Sequence, residues 1–161
     1  MTDLTHALAN EDQPASYFKA LETLVQNTVG AKLFTLMEID HVRNVARRNY
    51  TNMPEAYPTS GEKPRMPNKW ADQVEGQQKT FVANSIEEIA DVFADHELIQ
   101  SLGCESCMNV PVVIAGKVVG TLNCLHEAGH YTPDRVAAAQ SLKQAGAIAF
   151  LLDAHMKGNR T

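Results

Sequence analysis

The sequence predicts an α+β domain built on a central antiparallel sheet of five or six strands. Two hairpin patterns and two terminal helical patterns carry that prediction. In the first hairpin, Met108, Val110, Val112 and Ile114 alternate with Cys107, Asn109, Pro111 and Val113. After Ala115-Gly116-Lys117, Val118, Gly120, Leu122 and Cys124 alternate with Val119, Thr121, Asn123 and Leu125. Period 2 sends each set to its own face. Residues 31–39 and 42–51 form a second pair of strand-like runs, joined at Asp40-His41. Phe18, Leu21, Leu24, Val25 and Thr28 recur at helical spacing, and an Ala-rich run follows Thr132-Pro133.

Taken in order, residues 1–13 are polar and acidic and read as a flexible leader. The domain itself is expected over 14–157, with 158–161 as a tail. Pro14 opens a helix to about Val29, and Gly30 stops it. Residues 52–67 carry Pro54, Pro58, Gly61, Pro64 and Pro67, which predicts an irregular segment. A loop this long inside a small domain is more often functional than filler. Asn68 can cap a short helix through Trp70 and Val74, and residues 80–83 form a brief strand. Ser85 and Glu88 have capping-box spacing. Asp95 can cap a further helix that Gly103 closes. Thr132 caps one long final helix with Pro133 at its first position.

Loop length sets the register of the first hairpin. A two-residue loop, Ala115-Gly116, would place Asn109 opposite Leu122 and Cys107 opposite Cys124. A three-residue loop would place Asn109 opposite Asn123, apolar face against apolar face. A slip of one residue reverses every side chain, so pattern matching favours the three-residue loop. Two amides side by side in an apolar sheet need partners, since an unpaired buried polar group costs about 1–3 kcal/mol. A bound ligand would serve.

The 161 residues suit one domain with a sizeable core. A net charge of −5 disfavours a general binder of nucleic acid, which would carry a basic stripe. No run reaches the ~18 apolar residues of a membrane span. A cytoplasmic protein is expected, with Cys104, Cys107 and Cys124 reduced.

The hairpin resembles the signature hairpin of GAF domains, a PAS-related family of small-molecule sensors. The matching residues are Asn109-Val110-Pro111-Val112, Gly116-Lys117 and Gly120-Thr121-Leu122-Asn123-Cys124-Leu125. Tyr131-Thr132-Pro133-Asp134, Trp70 to Val74 and Lys79 to Val82 also fit. The resemblance implies that the terminal helices cover one sheet face. Loops and short helices would then enclose a ligand on the other. The expected ligand is a small polar or anionic molecule, and the cofactor is left unspecified. Asn109, Asn123, Thr121 and Cys107 would face it, Trp70 and Tyr50 would supply walls, and Arg48 a charge partner. Arg48 and Tyr50 share a face by period 2. Signalling would run through a homodimer or a signalling protein partner. Leu142, Ala145 and Ala149 give the final helix one close-packing stripe, and Gln144 with Ala147 a second. Packing within the chain and dimerisation both suit such stripes.

Two alternatives stand beside this reading. One is a dimerisation module without ligand. The other is a thiol-dependent reductase of the free methionine sulfoxide type, using Cys104 or Cys107. Aligned on Pro111 and Gly120, however, the chain has Cys107, Asn123 and Leu125 where that branch carries acids. Its attacking cysteine would fall near Gln100. Covalent bilin attachment through Cys-His is also disfavoured, since Leu125 follows Cys124. Cys104, Cys107, Cys124 and His126 have the residue types of a zinc site. The favoured register splits the set, so no metal and no catalytic residue is expected.

Overall fold

The computed structural model describes residues 3–59 and 61–158. Its elements are α1 (Leu4–Leu8), α2 (Ala15–Thr28), β1 (Leu33–Asp40), β2 (Val45–Thr51), β3 (Glu62–Pro64), α3 (Lys69–Ala71), β4 (Phe81–Ala83), α4 (Ile86–Ala90), α5 (His96–Ser101), β5 (Ser106–Ile114), β6 (Lys117–His126), α6 (Pro133–Ala139) and α7 (Lys143–Gly158). The six strands form one antiparallel sheet in the order β3-β2-β1-β6-β5-β4.

Local chemistry explains most boundaries. Asn68 Oδ1 accepts from Ala71 N–H, and the first turn continues as a π-turn over Asp72–Gly76 that buries Val74. Ser85 Oγ accepts from Glu88 N–H, and Thr132 Oγ1 accepts from Arg135 N–H. Gly30 and Gly103 follow their helices with φ of +79° and +82°, where a side chain would be strained.

Several expectations are corrected. The leader is not wholly irregular: Asp3 caps α1, and Ala7 is buried. The second strand starts at Val45 rather than at residue 42. Asp40 Oδ1 accepts from both Val42 and Arg43 N–H, and Asn44 turns left-handed at φ 57°, which prolongs the turn. Residues 62–64 of the Pro-rich segment pair with β2 as an edge strand, a position that tolerates Pro64. The final helix is interrupted by a 3₁₀ turn at Gln140–Leu142. There Ser141 Oγ donates back to Ala138 O at 2.7 Å, a contact that bends helices.

The terminal helices cover one face. Phe18, Leu21 and Val25 of α2 meet Phe34, Leu36, Met108, Val110, Leu122 and Cys124 from the strands, with Leu142, Ala149 and Phe150 above. The Leu142, Ala145, Ala149 stripe lies in this core. A Cβ on neighbouring Gly146 would sit 3.0 Å from Leu122 Cδ2 and 3.2 Å from Val112 Cγ2. Small side chains thus bring α7 close to the chain's own sheet. Tyr17 Oη donates to Ala145 O at 2.8 Å and ties α2 to α7.

Both hairpin registers prove partly right. The loop has two residues, with Ile114 opposite Lys117 and left-handed Ala115 and Gly116. A bulge then inserts Val119, so that Val113 pairs with Val118 but Val112 pairs with Gly120. From there Asn109 faces Asn123. A second bulge lies between β1 and β2. Leu36 pairs with Tyr50 and Met37 with Arg48, which leaves Asn49 as the extra residue.

Candidate functional site

The opposite face carries a cavity of about 440 Å³. Leu33, Thr35 and Met37 of β1, Thr121, Asn123 and Leu125 of β6, and Cys107 and Asn109 of β5 form its floor. Trp70, Phe93, Asp95 and Ile99 come from the short-helix side, and Arg48 from β2. Residues 63–66 close one rim. The volume lies in the usual range of small-ligand pockets.

One rung of the floor is polar. Thr35, Asn123, Asn109 and Phe81 are neighbours across four strands. Asn123 Nδ2 donates to Thr35 Oγ1 at 3.1 Å, and Asn109 Nδ2 donates to Asn123 Oδ1 at 2.7 Å. Trp70 Nε1 and Cys107 Sγ both donate to Asn109 Oδ1, at 2.9 and 3.4 Å. The two amides therefore find partners inside the protein. A ligand is not required to satisfy them, which corrects the reason for which the sequence singled them out. Their network instead fixes Trp70 over the floor, where its ring also meets Phe93 edge-on at 6.4 Å.

The unsatisfied atoms of the cavity lining lie elsewhere. Thr121 Oγ1, Arg48 Nε and Arg65 Nε are buried without a hydrogen-bond partner. Arg48 Nη1 donates to Pro58 O at 3.0 Å, and its guanidinium carbon lies 4.8 Å from the Tyr57 ring centre. Burial lowers the Arg48 pKa, against the attraction of Tyr57 and Asp95. Tyr57 Oη donates to Asp95 Oδ2 at 2.5 Å. Asp95 thus stands at the head of α5 without capping it through its side chain. Burial, with that hydrogen bond, pushes the Tyr57 hydroxyl up.

Tyr50 does not share this face. The Asn49 bulge breaks the period-2 alternation, so Arg48 follows Met37 to the cavity while Tyr50 follows Leu36 to the helices. Tyr50 packs edge-on against Phe18 at 5.7 Å and donates to Glu22 of α2. Asn49 Nδ2 donates to Asp153 Oδ2 of α7 at 2.5 Å. Three consecutive residues therefore reach the cavity, α7 and α2. Phe93, Asp95 and Met37 line the cavity without having been marked in the sequence, and Tyr57 lines it as an aromatic of the Pro-rich segment. Of the unmarked three, only the Met37 position, on a strand, had a usable sequence signal.

The cysteines divide as the register implies. Cys107 lies under the cavity floor, and Cys124 lies in the helix-side core. The sheet separates them, so the four residues proposed for a zinc site do not converge. All three thiols are free and buried, and burial raises their pKa values, that of Cys124 to about 12. Such thiols are poor nucleophiles near neutral pH. Among the described residues, His126, Glu127 and His130 bring ligating atoms within 4.8 Å of one another. The two imidazoles stack at 3.6 Å with planes 5° apart, so their in-plane lone pairs run parallel. His130 Nε2 donates to Val29 O, and His126 Nδ1 accepts from Glu127 N–H. These contacts define an imidazole pair anchored to backbone.

This architecture is shared. A GAF-domain family model matches residues 19–151, and the chain belongs to that family. It is similar to the GAF domain of a two-component sensor histidine kinase from Bacillus halodurans, at 14% identity and a TM-score of 0.65, over 91% of this chain and 98% of that one. The GAF domain of a phosphoenolpyruvate-protein phosphotransferase from Coxiella burnetii is 13% identical, with a TM-score of 0.68, over 96% and 90%. A free methionine-R-sulfoxide reductase from Neisseria meningitidis is 14% identical, with a TM-score of 0.66, over 95% and 86%. At these identities the likeness concerns the fold. None of the curated proteins compared matches the chain. Among the described residues, no helix is long and apolar enough to cross a membrane.

Proposed function

We propose that this GAF domain is a cytoplasmic sensor whose cavity binds a small polar or anionic molecule. The cavity itself carries this reading. It is walled by apolar side chains and holds a guanidinium and a hydroxyl whose hydrogen-bonding capacity is not used up. Binding is reported through residues 48–50. Arg48 meets the ligand, and the adjoining Asn49 and Tyr50 pull on α7 and α2. The readout is a homodimer or a signalling protein that reads these two helices. The Leu142, Ala145, Ala149 stripe is occupied within the chain, so the dimer would use the outer side of α7, where Gln144 and Leu151 are exposed. The thiol reductase reading is weaker, because its sulfurs are buried and protonated. The ligand-free dimerisation reading leaves the cavity without a purpose.

Thermal-shift screening of a metabolite library tests the proposal, with Ala46→Trp, on the β2 wall of the cavity, as a cavity-filling control. Metabolites are expected to stabilise the wild type and not the variant. If every hit stabilises both proteins equally, the cavity is not the binding site. Sedimentation at micromolar concentration tests the dimer, which a purely monomeric profile would exclude.

A further inference from the structure

We infer that the ligand of this cavity is a monocarboxylate with an apolar body, its carboxylate held side-on by Arg48. This rests on the cavity being a small-molecule site, and names the class of molecule it takes. The distribution of charge around the sheet edge carries it. Arg43 pairs with Glu62, Arg47 with Glu38, and Arg65 with Glu75. Arg48 is half-buried like Arg47 and Arg65, yet among the described residues no carboxylate is within ion-pair distance of it. The nearest acid acting on it is Asp95, whose oxygen already accepts from Tyr57. A cation withdrawn from water without a counter-charge is costly, and an anion brought to it gains correspondingly.

The way Arg48 is held narrows the class. Pro58 O takes Nη1, and the Tyr57 ring covers one face of the guanidinium. What remains is the edge formed by Nη2 and the buried, unpartnered Nε. Two parallel N–H groups on one edge match the two oxygens of a carboxylate. A phosphate dianion suits the site less. Of the other cations on the cavity wall, Arg65 is already paired with Glu75 and Lys63 is exposed at the rim, while the carboxylates of Asp95 and Glu75 also face the cavity. The rest of the molecule meets Leu33, Met37, Trp70, Phe93, Ile99 and Leu125, which favour an alkyl or aryl body. Along the register, Arg48 neighbours Met37 and Met37 neighbours Thr121. A body lying over Met37 therefore ends near the unpartnered Thr121 hydroxyl, two strand spacings or about 10 Å from the Arg48 backbone. A second polar group there, such as a hydroxyl or a carbonyl, would complete the fit.

The test is a fragment panel of matched sets: alkyl and aryl carboxylates, their primary amides, and the corresponding phosphate monoesters. Binding is measured by ligand-observed NMR to the full chain. Wild type, Arg48→Met, Arg48→Lys, Thr121→Val and Ala46→Trp are compared, each first checked for cooperative unfolding. Carboxylates are expected to bind wild type at least tenfold tighter than their amides or phosphates. Arg48→Met and Arg48→Lys should each lose that preference, because neither offers the two-donor edge. Thr121→Val should change affinity about threefold or less for fragments without a second polar group, and more for those that have one. If amides or phosphates bind wild type as well as carboxylates do, and Ala46→Trp abolishes that binding, the carboxylate assignment fails while the cavity remains a binding site. Retention of the preference in Arg48→Met also overturns it. If no fragment distinguishes wild type from Ala46→Trp, the binding reading fails with it.

Discussion

The two faces of the sheet are built from alternate residues of the same strands, and they solve opposite problems. The helix face is filled. Phe34, Leu36, Val110 and Leu122 meet α2 and α7 with glycine at the closest approaches. The cavity face uses Thr35, Asn109, Thr121 and Asn123 at the intervening positions and leaves room above them. Packing against helices rewards apolar area, at roughly 25 cal/mol per Å² removed from water. A polar floor forgoes part of that gain. It gains in return a hydrogen-bonded frame with fixed geometry, which suits recognition.

The sharpest way to break the filled face is Gly120→Val. A Cβ there would lie 2.3 Å from Phe150 Cζ and 2.6 Å from the Met37 carbonyl oxygen, and the backbone cannot swing aside. A loss of about 3 kcal/mol is expected in denaturant unfolding, near the upper end for overpacked cores. A loss below 1 kcal/mol would show that α7 is not seated as described.

The polar floor should break less severely. Asn109→Leu removes the acceptor of Trp70 Nε1 and the donor to Asn123 Oδ1 at once. Stability should fall by about 2 kcal/mol, the cost of stranding buried polar groups. Trp70 fluorescence should shift as the indole loses its anchor. An unchanged emission spectrum would mean that the network does not position Trp70.

The smallest effect concerns the end of β6, where His126 stacks on His130. Burial, and then the neighbouring His130, lower the His126 pKa from its ordinary 6.5. The folded state therefore holds the neutral ring, and the unfolded chain takes up the proton more readily. This contribution is fully present above pH 6.5 and is lost as pH falls through the lower folded value. Unfolding free energies measured from pH 8 to pH 5 should decline more steeply for wild type than for His126→Gln. Parallel curves would remove His126 from the pH response.

Much of the fold was legible along the chain. Alternation in the 107–125 hairpin separated the two faces between bulges: Cys107, Asn109, Thr121, Asn123 and Leu125 of the mixed face line the cavity, whereas the bulged Val119 packs with the helix-side core. Thr132, Asn68 and Ser85 announced their helices through side-chain caps. The pairing of Arg48 with Tyr50 was not legible, because a bulge at Asn49 adds a residue with no mark in the sequence. Asp95 had cap spacing, yet its carboxylate serves Tyr57, 38 positions away. The two amides do stand side by side on the cavity face, but their partners are Trp70 and Thr35.

By itself, the sequence determined which residues share a strand face between bulges, where helices begin, and that one face would be polar. These follow from backbone geometry and from hydrogen bonds that span three or four residues. Tertiary structure alone decided where the alternation slips, which polar atoms find partners, and that Arg48 rather than Tyr50 enters the cavity. Those outcomes depend on strands and loops far apart in sequence competing for the same space and the same donors. No local pattern encodes that competition.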